Sequence, residues 1–122
     1  MARTIFDPAR EHAAIAQARA SFHADTIAEV QAAIDAHDVV IVGMAQNPFP
    51  RRAKKFLDAR NQPYHYLEYG SYLSQWKRRL ALKMWVGWPT IPMIFVKGAF
   101  IGGAEDLERL AASGELDGLL AG

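Results

Sequence analysis

Two short apolar runs stand out along the chain, Val39-Val40-Ile41-Val42-Gly43 and Met93-Ile94-Phe95-Val96. Each is β-branched or bulky and bounded by polar or turn-forming residues, the pattern of a buried strand. Lys97-Gly98 separates the second run from Ala99-Phe100-Ile101, which predicts a hairpin. Tyr64-His65-Tyr66-Leu67-Glu68-Tyr69 is aromatic-rich and reads as a further strand after the turn Asn61-Gln62-Pro63. Between the strands the spacing is helical. Residues 7–20 read as an Ala-rich helix with Asp7 as its cap and Pro8 at its first position. A second helix begins near Asp25 or Thr26, where Thr26-Ile27-Ala28-Glu29 has the form of a capping box and Ile27, Val30 and Ile34 supply a buried face. A third covers about 48–60. A fourth runs from Gly70-Ser71 to about Trp85, with Leu73, Trp76, Leu80 and Met84 at helical spacing. After the rigid loop Gly87-Trp88-Pro89-Thr90-Ile91-Pro92 and the hairpin, Ala104 to Leu110 forms a helix with acids in its first turn; Gly114 stops it and Glu115–Leu120 adds a last turn. One strand–helix–strand crossover followed by a hairpin predicts an α/β domain, a four-stranded mixed sheet with helices on its faces.

The junction between the first strand and the third helix is where the chemistry is expected. Asn47 suits the N-cap, Pro48 falls at the first helical position and Pro50 is still in the first turn. A strand running straight into a helix leaves the helix's first N–H groups at the strand end, a ready site for an anion. Asn47 is thus open to two readings, a helix cap or a ligand contact.

Composition narrows the chemistry sharply. The 122 residues hold no cysteine. Disulfides, thiolate catalysis and thiolate-held metal centres are therefore excluded for this chain. The four histidines lack ligand spacing, so no metal site is expected, and no serine lies in a nucleophile motif. Trp76, Trp85, Trp88 and the four tyrosines read mostly as core and loop packing. No apolar run approaches the roughly 18 residues of a membrane span, and the first eight residues lack a secretory apolar core, so a cytoplasmic protein without a membrane partner is expected. The net charge of +1 conceals segregation: residues 51–83 hold nine bases (Arg51, Arg52, Lys54, Lys55, Arg60, Lys77, Arg78, Arg79, Lys83) against two acids (Asp58, Glu68), between acidic ends. That middle reads either as a solvated face or as a surface for an acidic partner; without interleaved aromatics, nucleic acid is not expected.

These residues resemble a known family. From Val39 to about Leu120 the chain is similar to the glutaredoxins, of the thioredoxin-like fold. Asn47-Pro48-Phe49-Pro50 stands in the place of the family's C-P-Y-C, and Trp88-Pro89-Thr90-Ile91-Pro92 resembles the W-P-T-x-P of the monothiol branch, whose last proline is cis. Gly98 to Leu107 is similar to the family's G-x-x-I-G-G-x-D-D-L. The resemblance implies a glutaredoxin-like domain over 25–122 preceded by a helical extension over 1–24.

The departures bear on function. Asn47 replaces the nucleophilic cysteine, Pro50 the second cysteine or serine, and Met44 the lysine that in the family helps hold glutathione. Thiol–disulfide exchange by the family mechanism needs the missing sulfur, and so does glutathione-bridged iron–sulfur binding. Losing the lysine removes a charge-assisted hydrogen bond of about 1.5–3 kcal/mol. By resemblance the glutathione groove comprises Asn47, Phe49, Arg79, Thr90, Ile91, Pro92, Gly103, Ala104, Glu105 and Asp106: main-chain pairing at Ile91, the γ-glutamyl carboxylate at Ala104 and Glu105, its ammonium at Asp106, and Arg79 among the bases for the glycyl carboxylate. No catalytic residue and no required cofactor are expected. The implied function is a redox-inactive module binding glutathione, a related peptide or a protein segment. The alternatives are a transferase using the thiol of bound glutathione, with Asn47 donating to that sulfur, and an interaction module using the basic 51–83 face.

Overall fold

A computed structural model describes residues 3–122, so the first two residues of the 1–24 extension lie outside the described residues. Strand β1 (Val39–Gly43) is buried along its whole length, as five residues without a polar side chain favour. It pairs in parallel with β2 (His65–Glu68) and antiparallel with β3 (Met93–Val96), which pairs antiparallel with β4 (Ala99–Gly102). The sheet order is β2-β1-β3-β4, with helix α3 (Pro48–Ala59) as the crossover between the two parallel strands.

Side-chain alternation divides the core in two. Val40, Val42, Met93 and Phe95 pack with helix α2 (Ala24–Ala36) and helix α4 (Trp76–Val86). Val39, Ile41, Ile94 and Val96 pack with α3, α5 (Ala104–Ala112) and α6 (Glu115–Ala121) on the other face. Gly43 permits the tightest approach: a Cβ there would stand 2.7 Å from the Tyr66 hydroxyl and 2.9 Å from Pro50 Cβ, so any side chain would push α3 off the end of the strand. The thioredoxin-like architecture expected for the domain is the one present. Among the described residues no helix is long and apolar enough to cross a membrane.

Three local expectations are corrected. The single helix over 7–20 is two pieces. Pro8–Arg10 make one 3-10 turn under Asp7, Glu11 and His12 are extended, and His12 Nδ1 accepts from the Ala14 N–H at 3.0 Å to start helix α1 (Ala13–Ser21). Neither piece buries a residue, so local caps decide the path rather than packing. The capping box at Thr26–Glu29 does not form either. Helix α2 starts earlier, after His23 in the left-handed region at φ 46°, and Thr26 is buried inside it, accepting a hydrogen bond from Arg78 Nη1. Glu29 instead accepts from the Tyr69 hydroxyl.

The third correction concerns α4. It starts at Trp76, because Ser71–Ser74 close a separate tight turn and Gln75 is left-handed at φ 56°. Leu73, Trp76, Leu80 and Met84 all point outward, and Trp85 is exposed with them. The inward side is Arg79, Ala81 and Leu82. Periodicity identifies a stripe but not which of two stripes meets the sheet.

The segregated charges of the sequence come together in space. Arg52 makes a bidentate pair with Glu108 (2.7 and 2.5 Å) between α3 and α5. Arg60 meets Asp117 at 2.6 Å and Arg78 meets Asp25 at 2.8 Å. Acidic ends thus fold onto the basic middle. The hydrogen bond from Arg52 holds the Glu108 carboxyl below its ordinary range, and that from Arg78 does the same for Asp25.

Two outcomes are expected. Leu82→Ala should lower the unfolding free energy in urea by about 2–5 kcal/mol, whereas Leu80→Ala, on the same helix, should stay within about 0.5 kcal/mol. Glu108 and Asp25 bind protons less readily folded than unfolded. Their contribution is present above the ordinary carboxyl range near about pH 4 and is lost as pH falls through the folded range. Stability measured against pH should therefore fall less steeply on the acid side in Arg52→Gln than in the parent.

Candidate functional site

The end of β1 leads directly into the site. Met44 is buried there, the Ala45 N–H donates to Gly70 O at 2.7 Å, and Gln46 turns the chain in the left-handed region at φ 67°. Asn47 is then extended, and its Oδ1 accepts from the Phe49 N–H at 2.9 Å. Pro48 and Pro50 have no N–H to offer. The first turn of α3 therefore presents no open donor beyond its own cap, which corrects the expectation of an anion site at this helix start. Asn47 does act as the cap.

The donors lie on the opposite wall. The Ile91–Pro92 peptide is cis, and Pro92 leads into β3. The hairpin returns through Gly102, at φ 99°, where a Cβ would collide with the Asp106 carboxylate. This lets Asp106 Oδ2 accept from the Gly103 N–H at 2.9 Å and close the start of α5. The Ala104 and Glu105 N–H groups have no partner among the described residues, and Gly103 has no side chain to cap them. The Glu105 carboxylate is turned away toward Arg52 (3.9 Å) and Arg109 (4.0 Å), so its contribution here is main-chain.

Helix α4 supplies the third side. Arg79 is buried, with Nη1 donating to Tyr69 O at 2.8 Å and Ser74 O at 2.7 Å. The Tyr69 phenol is pushed well above its ordinary range by burial and by the Glu29 carboxylate that it bonds. Trp88 packs edge-on against Phe100 at 5.4 Å, and its indole nitrogen is buried without a hydrogen-bond partner among the described residues.

Together these walls enclose a cleft of about 730 Å³. All ten residues singled out in the sequence line it: Asn47, Phe49, Arg79, Thr90, Ile91, Pro92, Gly103, Ala104, Glu105 and Asp106. Sequence reasoning missed Tyr72 and Lys83, which also line it. Lys83 had a signal, since it lies four residues after Arg79 and so on the same side of the helix. The cleft offers open N–H donors and a helix start on one wall, cations on another, and apolar surface from Met44, Phe49 and Trp88. That suits an extended ligand bearing a carboxylate. No thiol is present, and no cluster of three metal-ligating side chains occurs among the described residues.

Comparison with known proteins bears on this geometry. The family model of glutaredoxin matches residues 39–101. The chain is 44% identical over 96 residues to a glutaredoxin-like protein of Dictyostelium discoideum, covering 79% of this chain and 78% of that one. It is 37% identical over 94 residues to glutaredoxin-C8 of Oryza sativa subsp. japonica, covering 75% and 68% respectively. In fold it is similar to buckwheat glutaredoxin, solved as a complex with glutathione, with a TM-score of 0.72 at 22% identity over 80% of this chain and 89% of that one.

Because the Asn47 bond is the only side-chain cap on α3 among the described residues, Asn47→Ala should cost about 0.5–2 kcal/mol in urea unfolding, whereas Asn47→Asp, an equally good cap, should keep most of the parent stability.

Proposed function

We propose that this chain, which belongs to the glutaredoxin family, is a redox-silent binding module whose cleft takes glutathione or a related extended peptide. A single observation carries the reading. Ten residues spread from Asn47 to Asp106 line one cleft, and the two N–H groups assigned to the γ-glutamyl carboxylate, those of Ala104 and Glu105, are without other partners among the described residues. The glutathione complex of the buckwheat relative supports the choice of ligand. In this cleft a carboxylate at the α5 start gains the helix dipole as well as two hydrogen bonds. Asp106 keeps Oδ1 for an ammonium group in competition with Arg109, 3.4 Å away. Arg79 and Lys83 give the far end its positive charge. Without a cysteine thiol in the chain, binding leads to no mixed disulfide with the protein.

Asn47 favours a second reading, a transferase that uses the thiol of bound glutathione. Its Oδ1 is engaged by Phe49, while Nδ2 has no partner among the described residues and is the atom able to donate to a thiolate. The broad basic face is the weaker alternative, since Arg52, Arg60 and Arg78 are each engaged by an acid.

Titration of the labelled protein with glutathione, followed by NMR, should shift the Ile91, Ala104, Glu105 and Asp106 amides to saturation in the millimolar range. Amides that stay in place would remove both readings. A disulfide-reductase assay should read at background. If a small electrophile is turned over with glutathione, Asn47→Ala should slow it while leaving glutathione binding in place; an unchanged rate would sink the thiol-positioning role.

A further inference from the structure

Tyr72 and Leu73 occupy the tip of the tight turn between β2 and α4. The turn is braced, not loose. Ser74 Oγ accepts from the Ser71 N–H at 3.1 Å, Ser71 Oγ accepts from the Leu73 N–H at 3.3 Å, and Arg79 Nη1 holds the Ser74 carbonyl from below at 2.7 Å. This structure keeps Leu73 95% exposed and Tyr72 61% exposed. Helix α4 continues the same surface with Trp76 at 57%, Leu80 at 39% and Met84 at 47%. Spacings of four place Trp76, Leu80 and Met84 along one side of the helix, directly after the turn that carries Tyr72 and Leu73. Single exposed apolar residues need no explanation, but five large ones between Tyr72 and Met84, two of them held out by a hydrogen-bonded turn, mark an interaction site.

Charge identifies the occupant. From Gly70 to Trp88 the chain contains no Asp or Glu. Lys77 lies beside the apolar ridge, its Nζ 5.6 Å from the centre of the Trp76 ring, and Lys83 stands at the cleft margin. Arg78 is turned away onto Asp25, and Arg79 is buried. The face is therefore apolar with a cationic border and no anion from its own stretch of chain, and the neighbouring α2 carboxylates Asp25 and Glu29 are engaged by Arg78 and by the Tyr69 hydroxyl.

We propose that the Tyr72–Met84 face docks an amphipathic segment of another protein in which apolar anchors alternate with Asp or Glu. A second copy fits poorly, because a two-fold contact would set each lysine border against its own like with no acid to meet it. A bilayer fits poorly too. Surface attraction to anionic lipid uses clusters of about four to eight bases, and this border has two. Tyr72 and Lys83 also line the cleft, so a segment seated here runs past its mouth.

The test uses the intact chain and a synthetic amphipathic Leu/Glu peptide, with a Leu/Lys peptide of the same pattern as its counterpart. The Leu/Glu peptide should shift the Leu73, Trp76, Lys77, Leu80 and Met84 amides to saturation, and the Leu/Lys peptide should bind about ten-fold more weakly. Leu73→Asp combined with Leu80→Asp should weaken Leu/Glu binding about ten-fold or more with the urea midpoint unchanged, and added salt should weaken it in the parent. Equal affinity for the two peptides would overturn the proposal, as would no binding at millimolar peptide. A dimer in sedimentation that Leu73→Asp dissolves would assign the face to a second copy. Binding of phosphatidylserine vesicles through Leu73 without binding of the Leu/Glu peptide would assign it to a membrane.

Discussion

A strand with neighbours on both edges and helices on both faces has no room for a polar side chain. Val39–Gly43 meets that condition with four β-branched residues and a glycine. Its alternation builds both halves of the core at once, Val40 and Val42 toward α2 and α4, Val39 and Ile41 toward α3, α5 and α6. Gly43 then lets Pro50 close over the strand end. The position of Asn47, and with it one wall of the cleft, follows from how this strand is packed. A substitution that moves β1 by one residue would reverse both core faces and carry the cleft away with them.

At that strand end the polar bookkeeping has changed sides. A helix start opposite a cis-proline loop ordinarily provides open N–H groups, yet Asn47, Pro48 and Pro50 remove them from α3 by capping one and lacking two. The open donors are those of Ala104 and Glu105 across the cleft, where Gly103 cannot cap and Asp106 closes only the Gly103 N–H. The open backbone donors of the cleft are thereby concentrated on the α5 side, while the α3 side supplies shape, the Asn47 amide and the exposed Phe49 ring. The thiol that the family carries at this place is absent from the chain.

What the sequence made legible were the elements whose burial matches their pattern. The runs at 39–43 and 93–101 are covered on both faces or tightly paired, so apolar content alone identifies them. The cleft's lining was legible because the Trp88-to-Pro92 and Gly98-to-Leu107 stretches mark fixed points of the fold that face it. Illegible were the places decided by long-range contacts. Thr26 has the spacing of a cap, but Arg78, far along the chain, draws its hydroxyl inward. The stripe Leu73, Trp76, Leu80 and Met84 has the period of a core face, yet it is Leu82 that packs on the sheet and Arg79 that is buried at the cleft wall. An arginine satisfied by two carbonyls can take an inward position that no hydrophobicity pattern would give it. Charge segregation along the chain is likewise redrawn by long-range contacts, because folding sets Glu108, Asp117 and Asp25 against the basic segment.

Arg79 joins the two surfaces of α4. Its Nη1 fixes the Tyr69 and Ser74 carbonyls, which holds the Leu73 turn outward, and the same guanidinium forms part of the cleft wall. A ligand carboxylate in the cleft can be met only by the guanidinium's remaining N–H groups, since withdrawing Nη1 would leave two carbonyls without their donor in a partly buried place. A bound carboxylate and the braced turn are therefore compatible, and the arginine is held in one orientation by both. The residue that resemblance assigns to glutathione is in this chain first a structural post, and the exposed apolar ridge beside the cleft depends on it.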